Sequence, residues 1–350
     1  MGKQLVVKII KRRKEGVMRT RVLIIGLAGV LAMSFIFGTC ATAAEVKKIV
    51  FGSGPMAGPW AIGIGAVAQL FNEQLKDKYS FTVASSGGSI ENMRRMINGE
   101  YNTSWFHVTT MYDAWKGVGI FEGKPFQGFR VLEYITDQAV SVVTLTRYPI
   151  KSFKDLEGKK VSIGPPGSGG IVIAHAIFKA LGLTNKVKIS MLTFQQGAQA
   201  LKDGQIDVSM TPGGPYVLPP ILEISRTQSI RIVEPTAEEA KKIEAEMPYL
   251  YGGMIPPNKA PGENSDKERR AIFWSILWGA QTGVGDEVVY DMLKVTHEPK
   301  NKEMLGKILN YWLTASPNFS SLVKVGVPIH PGAVKFWKEK GAPLPPELIK

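Results

Sequence analysis

Cysteine is almost missing from this 350-residue chain, and the single one, Cys40, lies near the N-terminus. The remainder therefore has no disulfide, no thiolate nucleophile and no cysteine metal site. Histidine is scarce too. The four residues, at 107, 175, 297 and 330, never fall at i,i+3 or i,i+4, so neither a metal helix nor a metal or other cofactor is expected. No basic stripe interleaved with aromatics and no helix-turn-helix or zinc-finger spacing occurs, which argues against nucleic acid as a partner. The Gly-x-Ser-x-Gly nucleophile elbow is lacking as well, so no catalytic constellation emerges and an enzyme is not expected.

Charge is uneven along the chain. Residues 1–44 hold eight basic residues and one acid, so they carry +7 of the total +13 and leave about +6 behind. Lys11 to Lys14, Arg19 and Arg21 precede an uncharged run from Val22 to Phe37, and small residues then lead to Ala41-Thr42-Ala43. A charged segment, an apolar stretch and an Ala-x-Ala site make a cleaved export signal over residues 1–44. The apolar run of roughly 16 residues is short of the about 20 needed to span a bilayer. Met18 is a more natural start than Met1, since it leaves a compact Arg-flanked segment. Phe37-Gly-Thr before Cys40 is a poor lipobox, which argues against a lipid anchor. A periplasmic location follows. The roughly 306 residues after the signal must fold by burial alone, for which 44% hydrophobic content suffices.

What the chain does have is a strand–glycine loop–helix pattern that occurs twice. The first copy runs Lys48-Ile-Val-Phe-Gly52-Ser-Gly-Pro-Met-Ala-Gly58-Pro-Trp60, and the second Lys160-Val-Ser-Ile-Gly164-Pro-Pro-Gly-Ser-Gly-Gly170. Each is followed by a short helical stretch that a turn stops, at Asn98-Gly99 and at Asp203-Gly204. Two similar α/β halves aiming glycine loops outward make a cleft for a small ligand. Strands are expected at Val46–Phe51, Phe81–Ala84, Asn102–His107, Val140–Thr146, Val161–Gly164 and Ile206–Met210. Helices are expected at Ile62–Leu75, Ile90–Asn98 with Ser89 as its N-cap, Lys267–Thr282 and Glu303–Leu313. Alternating strands and helices imply mostly parallel sheets. Trp274 and Trp278, four apart, read as core on one helix face.

The glycine loops carry the candidate chemistry. Gly52-x-Gly54-x-x-Ala57 matches a permissive dinucleotide fingerprint, yet no acid stands between Phe81 and Ile90 to hold a ribose, and Pro55 sits inside the turn. A phosphate P-loop fails, since Gly-Lys-Ser/Thr follows neither loop. Unpaired N–H groups at helix starts favour an anionic ligand instead. The candidate contacts are Ser53, Gly54, Ser86, Gly88, Ser89, Ser168, Gly169 and Gly170, with Gly213 and Gly214 in Thr211-Pro-Gly-Gly-Pro215. Asn92 sits one turn into its helix, pointing back toward its loop. His107 at a strand end, Trp60 and Tyr216 are placed to wall the pocket, while His330 between two prolines reads as a structural turn.

These residues resemble a known family. Phe51-Gly-Ser-Gly-Pro-Met-Ala-Gly-Pro-Trp60, Gly88-Ser-Ile-Glu-Asn92, Lys151-Ser-Phe-Lys-Asp-Leu-Glu-Gly-Lys-Lys-Val161, Gly164-Pro-Pro-Gly-Ser-Gly169, Leu201-Lys-Asp-Gly-Gln-Ile-Asp207 and Val327-Pro-Ile-His-Pro-Gly-Ala333 stand in the order seen in TAXI proteins, the solute receptors of one branch of TRAP transporters. The resemblance spans nearly all of residues 46–340. It implies a two-lobed, type II periplasmic-binding-protein fold that closes on a small organic anion, a carboxylate or amino acid. The receptor then delivers that solute to an ion-gradient-driven TRAP membrane permease. On that footing lobe 1 is residues 45–141 and 251–350, and lobe 2 is residues 142–250.

Departures from the family pattern matter. Pro55, Met56, Ala57 and Trp60 replace a Gly-Gly-Thr-Tyr-like run, Gly170 replaces a common Thr, and Asn102 and His107 stand where an Asp and a Gln are usual. Fewer hydroxyls point to a bulkier or less polar acid. Two other roles are compatible with the same frame: a ligand sensor signalling to a membrane partner, and an enzyme on the same fold.

Overall fold

A computed structural model describes residues 46–56, 58–213 and 216–349. The export signal with Cys40, and the candidate ligand residue Gly214, lie outside these residues. In chain order the elements begin with β1 (Lys47–Gly52), α1 (Pro59–Gln74), β2 (Tyr79–Ala84), α2 (Ser89–Ile97), β3 (Thr103–His107), α3 (Val108–Lys116) and β4 (Phe129–Leu145). Next come β5 (Lys160–Ser162), α4 (Gly170–Ala180), β6 (Lys188–Ser190), α5 (Phe194–Lys202), β7 (Val208–Gly213), α6 (Pro219–Ser225) and β8 (Ile230–Ile232). The chain continues through α7 (Ala237–Glu246), β9 (Tyr251–Ile255), β10 (Arg269–Gln281) and α8 (Asp286–Thr296), and ends in α9 (Pro299–Ile308), α10 (Tyr311–Thr314), α11 (Ser320–Val325) and α12 (Pro331–Glu339).

All ten strands join in one sheet of order β2-β1-β3-β10-β4-β7-β5-β6, with β8 added to β4 and β9 to β10. Both wings are parallel: β1 pairs with β2 and β3, and β5 with β6 and β7. Antiparallel pairing is confined to the ladders of β4 and β10, which run against each other from Phe273↔Ala139 to Gln281↔Phe129. The α/β architecture with parallel wings is thus as the sequence reads. The long central ribbon is not.

Two element assignments are corrected. Lys267–Thr282 is no helix; Arg269–Gln281 is strand β10. Its apolar residues run almost unbroken because both faces of the strand are covered, and such a run has no period to separate helix from strand. The Val140–Thr146 strand proves to be the end of the 17-residue β4. Register shifts interrupt the β4–β10 ladder between Ile276 and Leu277 and between Trp278 and Gly279. Extra residues of this kind bend and twist a ribbon locally.

The main core runs across both wings, and its tryptophan-rich part sits on the first. Trp278, fully buried, stacks on Phe51 at 5.4 Å and meets Trp312 edge-on at 6.0 Å. Its indole N–H donates to Thr103 Oγ1 at 2.7 Å, so the one polar atom of the ring is satisfied. Burying such aromatic surface stabilises by roughly 1.5–3 kcal/mol per side chain. His330 is the structural turn expected of it. Its Nδ1 accepts from Gly332 N at 3.2 Å, and Nε2 donates to the Val284 carbonyl at 3.0 Å. Among the described residues no helix is long and apolar enough to cross a membrane, and no cluster of three metal-ligating side chains occurs.

Candidate functional site

Parallel wings send their strand C-termini, and the loops that follow, to one place. Ser53–Gly58 follows β1, Ser85–Gly88 follows β2, His107 ends β3, Gly164–Gly169 follows β5 and Pro212 is the penultimate residue of β7. Open α/β sheets bind ligands beyond the carboxyl ends of their strands. There a cavity of about 40 Å³ lies between the two glycine loops, walled by Trp60, Ser89, His107, Gln138, Ser168 and Phe194. That is room for about three water molecules and no organic solute.

The loops touch across the mouth of the cavity. The carbonyl of Gly167 accepts the backbone N–H groups of Ile90 at 3.1 Å and Glu91 at 3.3 Å, in the first turn of α2. The unpaired donors of that helix start, read from sequence as an anion cradle, are therefore met by the opposite loop. Gly167 and Gly88 hold φ of 83° and 127°, and a Cβ on Gly87 would run into the Pro166 carbonyl. Glycine at this crossing is a matter of backbone meeting backbone.

His107 is buried, with its ring edge-on to Trp60 at 5.4 Å and tilted on Trp274 at 5.3 Å. Loss of solvent pushes its pKa down to about 3, with the Gly169 backbone pulling weakly the other way. The imidazole is neutral, and its Nδ1 has no hydrogen-bond partner. Gln138 is in the same condition. Its Nε2 donates to Tyr311 Oη at 3.0 Å while Oε1 is unpartnered. A buried polar atom without a partner costs about 1–3 kcal/mol, which a ligand with matching groups would recover. No lysine or arginine lines the cavity.

Of the candidate residues, Ser89, Trp60, Gly88, His107, Ser168 and Gly169 line this cavity. Ser89, however, does not cap its helix. Gly88 holds the N-cap position, and Ser89 Oγ accepts from His107 N at 3.0 Å. Ser168 Oγ accepts from Gly170 N at 3.2 Å. Ser53, Ser86 and Asn92 form a brace behind the cavity. Asn92 Nδ2 donates to the Ser53 carbonyl at 2.6 Å, and Ser86 Oγ donates to Asn92 Oδ1 at 2.6 Å. Gly54 packs on Trp60, Gly170 on Pro212, and Gly213 on the Tyr216 main chain. Tyr216 itself lines a different cavity. Gln138, Phe194 and Leu218 escaped the sequence reading. For Gln138 a signal existed: it stands just before the uncharged, β-rich stretch that opens at Val140.

With this geometry in view, the match to a family model is informative: residues 51–341 fit the NMT1-like family. The chain belongs to the NMT1-like family. Solved structures resemble this NMT1-like chain at the level of fold. A protein from Xanthomonas citri bound to ATP superposes with a TM-score of 0.50 at 12% identity, covering 83% of this chain and 98% of its own. The binding-protein component of an ABC phosphonate transporter from Pseudomonas aeruginosa gives 0.49 at 10% identity, with 81% and 86% covered. The periplasmic aliphatic sulphonate binding protein SsuA from Escherichia coli gives 0.45 at 12%, with 85% and 94% covered.

Proposed function

We propose that the chain is an exported solute-binding receptor that closes on a small organic anion between two lobes and hands it to a membrane permease. The lobes are residues 45–141 with 251–350, and residues 142–250, hinged on the β4–β10 ribbon. One observation carries this: the Gly167 carbonyl sits on the N-terminal N–H groups of α2, where a carboxylate oxygen of a ligand would sit. Polar atoms of His107 and Gln138 stand unpartnered in the cleft, where groups of a ligand would satisfy them. Ligand binding then exchanges the Gly167 contact for a charged one, while Trp60, Phe194 and Leu218 take the apolar body. Contacts made by both lobes exist only when the cleft is shut on the ligand, so ligand shifts the hinge equilibrium.

The ordered motifs shared with TAXI receptors favour a TRAP-type, ion-gradient-driven permease as the partner. Thermal unfolding tests the receptor reading, after an unfolding–refolding cycle to strip bound solute. Carboxylates, amino acids, sulfonates and phosphonates make the panel. One ligand class should stabilise the protein by about 2.7 kcal/mol at a hundredfold excess over Kd. A panel without any concentration-dependent shift would remove the receptor role. Uptake into cells that resists ATP depletion but collapses with an ionophore would support the TRAP partner, and the reverse would replace it with an ATP-driven one.

A further inference from the structure

The β4–β10 ribbon has two faces, and the cavity just described uses only one. Gln138 pairs across the ribbon with Trp274, and Asp137 with Ser275. Successive residues of a strand point to opposite faces. Gln138 thus enters the cavity beside His107, whereas Asp137 turns away from it. On that other side lies a second and larger cavity of about 580 Å³, a size that takes a small organic molecule.

Its walls are aromatic, with Tyr134, Tyr216, Tyr251 and Phe273 around the single acid Asp137. The Tyr251 and Phe273 rings stack at 5.8 Å and 19°. Neutral groups meet the Asp137 carboxylate. Ser275 Oγ donates to Oδ1 at 3.0 Å, and the hydroxyls of Tyr134 and Tyr251 lie against it. Burial, and then the Asp137 charge, push both phenol pKa values up, so the two hydroxyls stay protonated as donors. Among the described residues no lysine, arginine or histidine forms an ion pair with Asp137. Lys259, the one base on the cavity wall, is exposed.

The Asp137 carboxylate is partly buried and has no paired counter-ion among the described residues, and aromatic ring faces attract positive charge. Both effects call for the same missing piece. We propose that this cavity binds a small organic cation of the ammonium or amidinium class, its charge on Asp137 and its body against the Tyr251 and Phe273 rings. The site is separate from the solute cavity, and neither proposal depends on the other.

Calorimetric titration of the purified protein with benzyltrimethylammonium tests this, with benzyl alcohol as the neutral counterpart and benzenesulfonate as the anionic one. The cation should bind with a submillimolar Kd and the other two should not. Asp137→Asn keeps the shape and the Ser275 hydrogen bond, and should weaken the cation by about tenfold or more. Should that variant misfold, Tyr251→Leu gives the same test from the ring side. Equal binding by the variant and the parent protein overturns the proposal. So does an absence of binding at millimolar concentration, or a loss caused by Trp60→Ala while Asp137→Asn binds normally.

Discussion

Asn92 Nδ2 lies 2.6 Å from the carbonyl oxygen of Ser53, thirty-nine residues earlier in the chain, and clamps the first glycine loop to the helix after the second strand. Asn92 is fully buried, and its Oδ1 accepts from Ser86. Replacing it by alanine removes one of the two donors to the Ser53 carbonyl and leaves Ser86 Oγ, 3.0 Å away, as the other, while opening a hole where the buried amide stood. Asn92→Ala should lower stability by roughly 1–3 kcal/mol. Denaturant unfolding checks this, and a midpoint equal to the parent's would mean the brace carries no stability.

The Ile90 and Glu91 amides bond across the cleft rather than within their helix, so their exchange with solvent hydrogen reports on opening of the mouth. Both should exchange faster than amides in the middle of α2, and slow further when solute is added. Exchange as slow as that of the helix middle, with no response to solute, would show that the mouth does not open.

Gly169 faces the His107 ring so closely that a methyl group there would collide with Nδ1. Gly169→Ala should hold the glycine loops apart while leaving both wings folded. Solute affinity is expected to fall by about tenfold or more, with little change in melting temperature. Full affinity in the variant would place solute recognition elsewhere than this crossing.

Asp113, buried on α3, has its pKa raised from its ordinary 3.8 to about 7, chiefly by loss of solvent, with the Ile120 backbone opposing. Between those two values the folded protein holds a proton that the unfolded chain has released. Stability therefore falls as pH rises from about 4 to about 7, at up to about 1.4 kcal/mol per pH unit. His107 opposes this over nearly the same range: its pKa is pushed from 6.5 down to about 3, so its own contribution falls as pH drops. The two contributions offset each other between about 4 and 6.5, which is why the Asp113 effect is read from the variant. Asp113→Asn should stabilise the protein at pH 8 and change little at pH 4. Equal effects at both values would refute the titration.

Much of this was legible in the sequence because it is local. The glycine loops, the helix starts at Pro59 and Gly170, and the strands that feed them are read from runs of a few residues. Strand β10 was not legible by periodicity. Trp274 and Trp278 share a face in a helix and in an unbulged strand alike, and the apolar run around them favours neither. Its wealth of aromatic and β-branched residues, Ile272, Phe273, Trp274, Ile276 and Trp278, was the better guide. The role of Asn92 depended on a partner 39 residues away, and the aromatic cavity on residues from Tyr134 to Phe273 that only the folded ribbon brings together. No spacing rule reaches that far.

Strand β4 is one unbroken stretch of 17 residues that pairs with β10 in its first part and with β7 and β8 in its last. No cut through the chain between 129 and 145 leaves either wing with a complete set of neighbours. The wings are thus not exchangeable modules. Dividing the gene there, grafting one wing onto another receptor or permuting the termini into this stretch would each expose raw sheet edge on both products. The places that tolerate such engineering are the turns at the periphery, where a single wing would bear the loss.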